Sequence, residues 1–224
     1  MKLTPHLIIS SVMIGMLLSG CTSKVTDQAQ YSGFLPNYSN LQEVTTTSGE
    51  KAMRWVAPSW NPSAYDTVVF NRLELYPQPQ PNERINRQTL DELQNYMTAQ
   101  AKGVLSQKYQ VRTNATSVPP GSKTLILRAA ITGVNASNQG MKWYEVIPVA
   151  AVVGGVSAAT GHRDQDTELF IEAEFVDANT HQTVAKVVRK VFGSTLSNAS
   201  QKITTNDFKA AISKLTSDFQ AFIR

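Results

Sequence analysis

Alternating apolar and polar residues mark extended segments along the chain. The alternation is clearest over residues 124–134 and 167–176, where Leu, Ile, Ala and Phe alternate with charged or hydroxyl-bearing side chains. A period of two residues is typical of a strand with one buried face. The turn sequence at 177–180 then leads into a further apolar segment, 183–192, and predicts a hairpin. A run rich in β-branched residues at 67–75 predicts an additional strand.

A spacing of three and four residues predicts two helices. Apolar residues recur in this way between residues 89 and 108, where Thr89 and Glu92 have the spacing of a capping box. Residues 207–223 carry a stronger stripe, formed by Phe208, Ile212, Leu215, Phe219 and Phe222. The order of elements predicts an α+β fold, in which two amphipathic helices pack on a single mixed or antiparallel sheet of about four to five strands.

Two aromatic segments precede the first predicted strand. Residues 31–42 read YSGFLPNYSNLQ, and residues 55–60 read WVAPSW. Aromatic rings bury large areas without regular structure, so these segments are predicted to cross the domain as extended straps. Stacking of a carbohydrate on the rings is the alternative use.

Acidic residues occupy the polar face of the predicted hairpin. Glu172 and Glu174 alternate with the apolar residues of their strand. The hairpin places them opposite Lys186 or Lys190, so we interpret this face as solvated, with modest ion pairing. This interpretation is preferred to a catalytic pair of carboxylates.

The first 20 residues have the layout of a secretory signal peptide. Lys2 gives a positive start, residues 7–18 form an apolar core too short to span a bilayer, and small residues precede Cys21. The chain is therefore divided into a signal peptide at 1–20, a cysteine and flexible tether at 21–30, and one periplasmic domain with an aromatic strap at 31–224.

The sequence Leu-Ser-Gly-Cys at the predicted cleavage site resembles the bacterial lipobox. The resemblance implies cleavage between Gly20 and Cys21, a diacylglyceryl thioether on Cys21, and an acyl group such as palmitate on its amino terminus. Several acyl chains hold a protein stably on a membrane. Thr22, rather than Asp, follows the cysteine, and this implies the outer membrane with the domain facing the periplasm.

Composition and motifs argue against several functional classes. The net charge is +4 without a run of Lys or Arg, so no nucleic-acid partner is expected. Acylation of Cys21, the one cysteine, leaves no thiol for catalysis, a disulfide or a metal. No serine elbow, phosphate-binding glycine loop or zinc-protease motif occurs, so we predict a non-enzymatic protein without a cofactor. His162, Asp164 and Asp166 alternate as metal ligands would, but we interpret them as a polar loop.

An uncharged segment rich in small residues, 146–159, separates two of the predicted strands. One interpretation is a buried crossover. The other is an exposed surface that contacts a membrane, a protein partner or a second copy of the chain. The candidate contact residues are Val146, Val149, Val152, Val153, Gly154, Gly155 and Val156.

The lipobox, the YSGFLPNYSNLQ segment, the Trp after it and the sequence YDTVVFNRLEL together resemble a proteobacterial lipoprotein family known only as a domain of unknown function. The resemblance implies no catalytic residues. The order of elements is also similar to small periplasmic lipoprotein domains that assist secretion or envelope assembly. The predicted function is therefore that of an outer-membrane lipoprotein that contacts a protein partner or itself. A periplasmic hydrolase or a glycan-binding protein using the Trp-rich segment is the alternative.

Overall fold

The computed structural model describes residues 25–82, 84–138, 165–198 and 200–224. Its strands are β1 (Gln42–Thr45), β2 (Lys51–Val56), β3 (Thr67–Val69), β4 (Glu74–Leu75), β5 (Gln110–Arg112), β6 (Thr124–Asn138), β7 (Gln165–Asp177) and β8 (Thr183–Leu196). The α-helices are α1 (Arg87–Leu105) and α2 (Lys209–Ile223). Neither of these helices combines the length and apolarity required to cross a bilayer.

All of these strands join one mixed sheet. The strand order is β1-β2-β8-β7-β6-β3-β5, and β4 pairs separately with β6. The centre is antiparallel, whereas β3 runs parallel to both β5 and β6. Within the described residues the sheet has 8 strands, so the predicted number of four to five was wrong. The α+β combination of one sheet with two helices is observed.

The strands that the sequence did not predict, β1, β2 and β5, are short. Strands β2 and β5 pair with distant segments of the chain, β8 and β3. The predicted strand at 67–75 is divided into β3 and β4 because Phe70 and Leu73 are both buried in the core. Side chains three residues apart point to opposite faces of a regular strand, so burying both requires a break in the ladder. Trp55 belongs to β2, so the segment at 55–60 is not wholly a strap.

Both helices occupy one face of the sheet. Helix α1 is capped by Asn86, whose side chain accepts a 2.8 Å hydrogen bond from the amide of Thr89. The predicted cap at Thr89 was therefore misplaced, since the helix begins two residues earlier. The C-terminal helical segment begins with a 3-10 turn at Thr205–Phe208 and continues as α2. The predicted helix at 207–223 was correct apart from this first turn.

The opposite face of the sheet carries the N-terminal segment. Residues 31–41, called the strap below, bury Phe34 and Leu35 against Ala130 and Val188. The main hydrophobic core lies on the other face, between the sheet and the helices. The sheet is thus covered on both faces, by helices on one side and by the strap on the other.

Candidate functional site

A cleft of about 550 Å³ lies between the sheet and the two helices. A row of paired positions forms its floor, with Ala129 on β6 opposite Ala173 on β7, Ala173 opposite Val187 on β8, and Val187 opposite Arg54 on β2. Ala173 and Val187 remain half-buried although they lie on central strands. The small side chains leave space that larger core residues would fill. This volume is in the range of roughly 300–1,000 Å³ found for small-molecule sites.

The walls of the cleft are mainly apolar. Helix α1 contributes Met97, and α2 contributes Leu215, Phe219 and Phe222. These three residues of α2 belong to the stripe that the sequence assigned to the core, yet each is only half-buried. The stripe is therefore divided, since Phe208 and Ile212 are buried in the core while the other three residues line the cleft.

Stacked aromatic rings close one end of the cleft. The ring of Trp60 lies 5.3 Å from that of Phe222 and 5.5 Å from that of Phe175, measured between centroids. Both pairs are stacked, a geometry that adds stability beyond the area buried. Trp60 thus packs in the main core at the cleft's end, which is a structural use for one of the aromatic residues considered for glycan stacking.

A buried ion pair between Arg189 on β8 and Asp218 on α2 also lines the cleft. Nη1 of Arg189 lies 2.8 Å from Oδ2 of Asp218 on α2, and the two side chains are 4% and 5% exposed. The backbone amide of Ser48 donates a 2.7 Å hydrogen bond to Oδ1 of Asp218, and its hydroxyl donates one of 2.8 Å to Oδ2. Asp218 therefore connects α2 to β8 and to the turn between β1 and β2.

The surroundings of Asp218 favour its ionised form. Burial alone would raise the pKa of this carboxyl, but hydrogen bonds from Ser48, Thr46 and Arg189 hold the pKa below its usual value. Asp218 is consequently a carboxylate at neutral pH, and its oxygens are occupied as acceptors.

Arg189 has donors that Asp218 does not use. Nε and Nη2 are buried and have no hydrogen-bond partner among the residues that the structure describes. A second guanidinium, that of Arg54, lies 5.3 Å from the centroid of the Phe222 ring. Among the described residues that line the cleft, these two arginines and Asp218 are the ionisable groups. The cleft is therefore apolar and carries a net positive charge.

The strap covers a buried polar layer on the other face of the sheet. Glu172 is 0% exposed, and it accepts a 2.8 Å hydrogen bond from the amide of Ser32 and one of 2.6 Å from the hydroxyl of Tyr38. Glu174 lies 2.7 Å from Arg128. Both carboxylates are buried, so the interpretation of this face as solvated was wrong, while the predicted ion pairing is observed at Glu174.

Residues of the YSGFLPNYSN sequence have structural roles in this contact. Tyr31 stacks on Tyr38 with 4.5 Å between ring centroids. Gly33 has a φ of 85°, a conformation that glycine adopts readily, and its amide donates a 2.7 Å hydrogen bond to the hydroxyl of Tyr38. Lys186 donates a 2.5 Å hydrogen bond to the side chain of Asn37 and lies opposite Glu174 in the hairpin, as the sequence predicted. The motif therefore fixes the strap to the sheet.

Most residues singled out from the sequence lie outside the described residues. These are Gly20, Cys21, His162, Asp164 and the contact segment containing Val146, Val149, Val152, Val153, Gly154, Gly155 and Val156. Asp166 lies on β7, where its carboxylate accepts a 3.0 Å hydrogen bond from Thr195. The sequence reasoning missed Arg189, although an arginine at a core-facing position of an alternating strand was a visible signal.

Comparison with known proteins gives matches over most of the chain. The family model described as Protein of unknown function (DUF3313) matches residues 30–219. The uncharacterized lipoprotein YdcL of Escherichia coli strain K12 is 42% identical over 213 residues, which cover 95% of this chain and 94% of that protein. YdcL of Escherichia coli O157:H7 matches with the same identity and coverage.

Solved structures are more distantly similar. A PelC dodecamer from Paraburkholderia phytofirmans has a TM-score of 0.38 and 11% identity, covering 75% of this chain and 96% of that one. A putative neuraminyllactose-binding hemagglutinin homolog from Helicobacter pylori has a TM-score of 0.40 and 11% identity, covering 73% and 83%. Likeness at this level carries no functional information. The long matches in sequence do identify the chain, which belongs to the DUF3313 family and is a lipoprotein of unknown function.

Proposed function

We propose that this lipoprotein is a non-enzymatic, outer-membrane-anchored protein whose periplasmic domain binds an apolar ligand in the cleft between sheet and helices. The cleft carries the proposal, because it combines a volume of about 550 Å³ with walls of Leu, Phe, Met and Ala. An apolar surface of this kind is unfavourable in water, and a bound apolar molecule removes it from solvent.

The proposed location rests on the N-terminal sequence. Leu-Ser-Gly-Cys supports acylation of Cys21, and Thr22 after it supports transport to the outer membrane. The relationship to lipoproteins supports the anchor as well. The membrane is therefore the first proposed partner. Contact of residues 146–159 with a protein or with a second copy stays a prediction, since the segment lies outside the described residues.

The charged groups of the cleft favour binding rather than catalysis. General acid–base catalysis requires a group that gains and loses a proton near the working pH. Hydrogen bonds hold the pKa of Asp218 below its usual value, so this carboxyl is ionised near neutral pH. Asp218 therefore does not suit this kind of catalysis, whereas the apolar lining of the cleft suits the binding of an apolar molecule.

The cleft can be tested with a neutral apolar fluorophore. Nile red should bind the mature chain from residue 21 with Cys21→Ser, and hexadecan-1-ol should displace it. The double variant Ala129→Leu/Ala173→Leu adds bulk to the floor and should weaken binding of the dye by about tenfold or more, since lost apolar contact of this size is worth at least ~1.4 kcal/mol.

The matched control is Ala115→Leu, which makes the same change at an exposed position outside the cleft. It should bind Nile red like the parent chain. Absence of dye binding, or equal binding by the folded double variant, would contradict the proposed function.

A further inference from the structure

We infer that the ligand of the cleft is a single-chain amphiphile with a terminal anionic group, and that Arg189 binds that group. The inference rests on the proposed function and specifies its ligand. The observations that carry it are the guanidinium donors buried without a partner among the described residues, the net positive charge and the apolar lining of the cleft.

Among the described residues, the guanidinium of Arg189 has donors that are free to bind a ligand. A guanidinium has five N–H groups in a planar fork, and here only Nη1 is engaged by Asp218. Nε and Nη2 are buried without a partner among the described residues. Leaving such donors unpaired is unfavourable, and a ligand oxygen would supply the missing acceptor. The fork matches the two oxygens of a carboxylate or a phosphate, which it binds through parallel hydrogen bonds.

Asp218 holds the guanidinium of Arg189 in place but leaves Nε and Nη2 without an acceptor among the described residues. The aspartate also accepts hydrogen bonds from the amide and hydroxyl of Ser48, so the arginine is held between β8 and α2. Asp218 balances the positive charge of Arg189. Arg54 forms no ion pair within the described part of the chain, so its positive charge is not balanced in the cleft. The excess positive charge favours an anion over a neutral or cationic head group.

Strand β8 leads from Arg189 towards the stacked aromatic rings. Arg189, Val187 and Ala185 follow each other on the same face of β8. Ala185 pairs with Phe175, against which Trp60 stacks. Four residues of strand span about 13 Å, which is the separation of Arg189 and Ala185 along β8.

The surface between these two ends is apolar. Val187 lies on this path, Ala173 and Ala129 extend the apolar floor across β7 and β6, and Phe219 of α2 lines the same cleft. A polar group at one end and an apolar channel beyond it fit an extended acyl chain with its anion at Arg189.

The test compares ligands that differ in the head group alone. Displacement of Nile red from the mature Cys21→Ser chain gives the affinities of palmitate, hexadecyl phosphate and hexadecan-1-ol. We expect at least one of the two anions to bind about tenfold or more tightly than the alcohol, as a charge-assisted hydrogen bond allows. Tighter binding of palmitate identifies a fatty acid, and tighter binding of hexadecyl phosphate identifies a phosphate monoester; either order supports the inference.

The variant Arg189→Lys keeps a positive charge beside Asp218 but removes the fork. It should lose most of the preference for anions and still bind hexadecan-1-ol as the parent chain does. Arg87→Lys is the matched control, because Arg87 forms an exposed pair with Asp91 on the surface of α1.

The possible failures are distinguishable. Binding of none of the three ligands contradicts the proposed function itself. Equal binding of the anions and the alcohol by the parent chain overturns the inference about the head group and leaves the apolar cleft intact. An Arg189→Lys variant that loses all three ligands equally also overturns it, because the arginine would then only support the shape of the cleft. The comparison of the two anions with hexadecan-1-ol uses the parent chain alone, so it tests the inference even if the Arg189→Lys variant does not fold.

Discussion

Tyr38 and Glu172 are 134 residues apart in the chain and are joined by a hydrogen bond of 2.6 Å beneath the strap. The carboxylate has no exposed surface, so it depends on the donors that the strap provides. A charged group buried without such donors would strongly destabilise the fold. Attachment of the strap and stability of the central sheet are therefore coupled.

Replacing Tyr38 by Phe should lower the free energy of unfolding by about 1–3 kcal/mol, because it leaves one acceptor of Glu172 unpaired. Urea denaturation measures the change. Tyr31→Phe is the matched control, since the hydroxyl of Tyr31 forms no hydrogen bond within the described residues while its ring keeps the stack on Tyr38. Equal losses for the two variants would show that the hydrogen bond is not the cause.

The stability of the protein should fall at alkaline pH. Burial, with a hydrogen bond to Glu172, raises the pKa of Tyr38 to about 12, and burial likewise raises the pKa values of Tyr65 and Tyr109 to about 12. The unfolded chain loses these protons near pH 10. The stabilisation is thus fully present below about pH 10 and is lost as the pH rises to about 12.

Absorbance of the phenolate between about pH 10 and 12 measures the pKa values of the tyrosines, and unfolding experiments over the same pH range measure the stability. Ionisation of these tyrosines near pH 10 in the folded protein would contradict the prediction.

Asp218→Asn should lower the free energy of unfolding at pH 7 by about 3 kcal/mol or more, since it leaves the buried guanidinium of Arg189 without its counter-charge. Because hydrogen bonds lower the pKa of Asp218, its contribution is present above the unfolded value of about 4 and is lost as the pH falls through the lower folded value. The variant should consequently lose less stability than the parent chain in acid.

Chemical denaturation at several pH values measures this difference. Asp91→Asn, in the exposed pair with Arg87, should change stability by less than about 1 kcal/mol. An Asp218→Asn variant as stable as this control would refute the role of the buried pair.

Gly193 lies where the 3-10 turn before α2 crosses β8. A Cβ atom at this position would contact Oγ1 of Thr167 and would lie 2.5 Å from the carbonyl oxygen of Asp207. Gly193→Ala should therefore destabilise the domain by about 1–3 kcal/mol through overpacking. Thermal unfolding tests this. Gly103→Ala, on α1 with nothing within 4 Å of the added atom, should leave stability unchanged or raise it.

Cys21→Ser should abolish incorporation of labelled palmitate and release the protein from the membrane fraction, because it removes the thiol that the anchor requires. Metabolic labelling and fractionation of cells measure both effects. Ser23→Ala, two residues along the chain, is the control and should retain label and membrane association. Labelling of the Cys21→Ser variant at the parent level would contradict lipidation at this residue.

The long elements were predictable because their patterns are local. Strands β6, β7 and β8 alternate over enough residues to set a period, and the stripe of α2 repeats over four turns. Strand β5 consists of the three residues Gln110–Arg112 and pairs with β3, and three residues are too few to set a local period.

The cleft was not predictable for a related reason. Ala129, Ala173 and Val187 are ordinary strand residues in sequence, and they form a floor only because the register of three strands aligns them. Likewise, the strap turns Glu172 from a surface residue into a buried one through contacts across 134 positions of the chain. Periodicity describes which face a residue occupies, but not what later covers that face.

The attachment of the strap also determines how the domain would respond to mechanical force. Tension applied from the N-terminal side reaches the domain at the strap, whose hydrogen bonds connect to Glu172 on β7 and Lys186 on β8. These strands lie inside the sheet, with β2 and β1 beyond β8 and β6 and β3 beyond β7. A pull towards a membrane would therefore load the interior of the sheet, and it would not peel the sheet strand by strand from its edge.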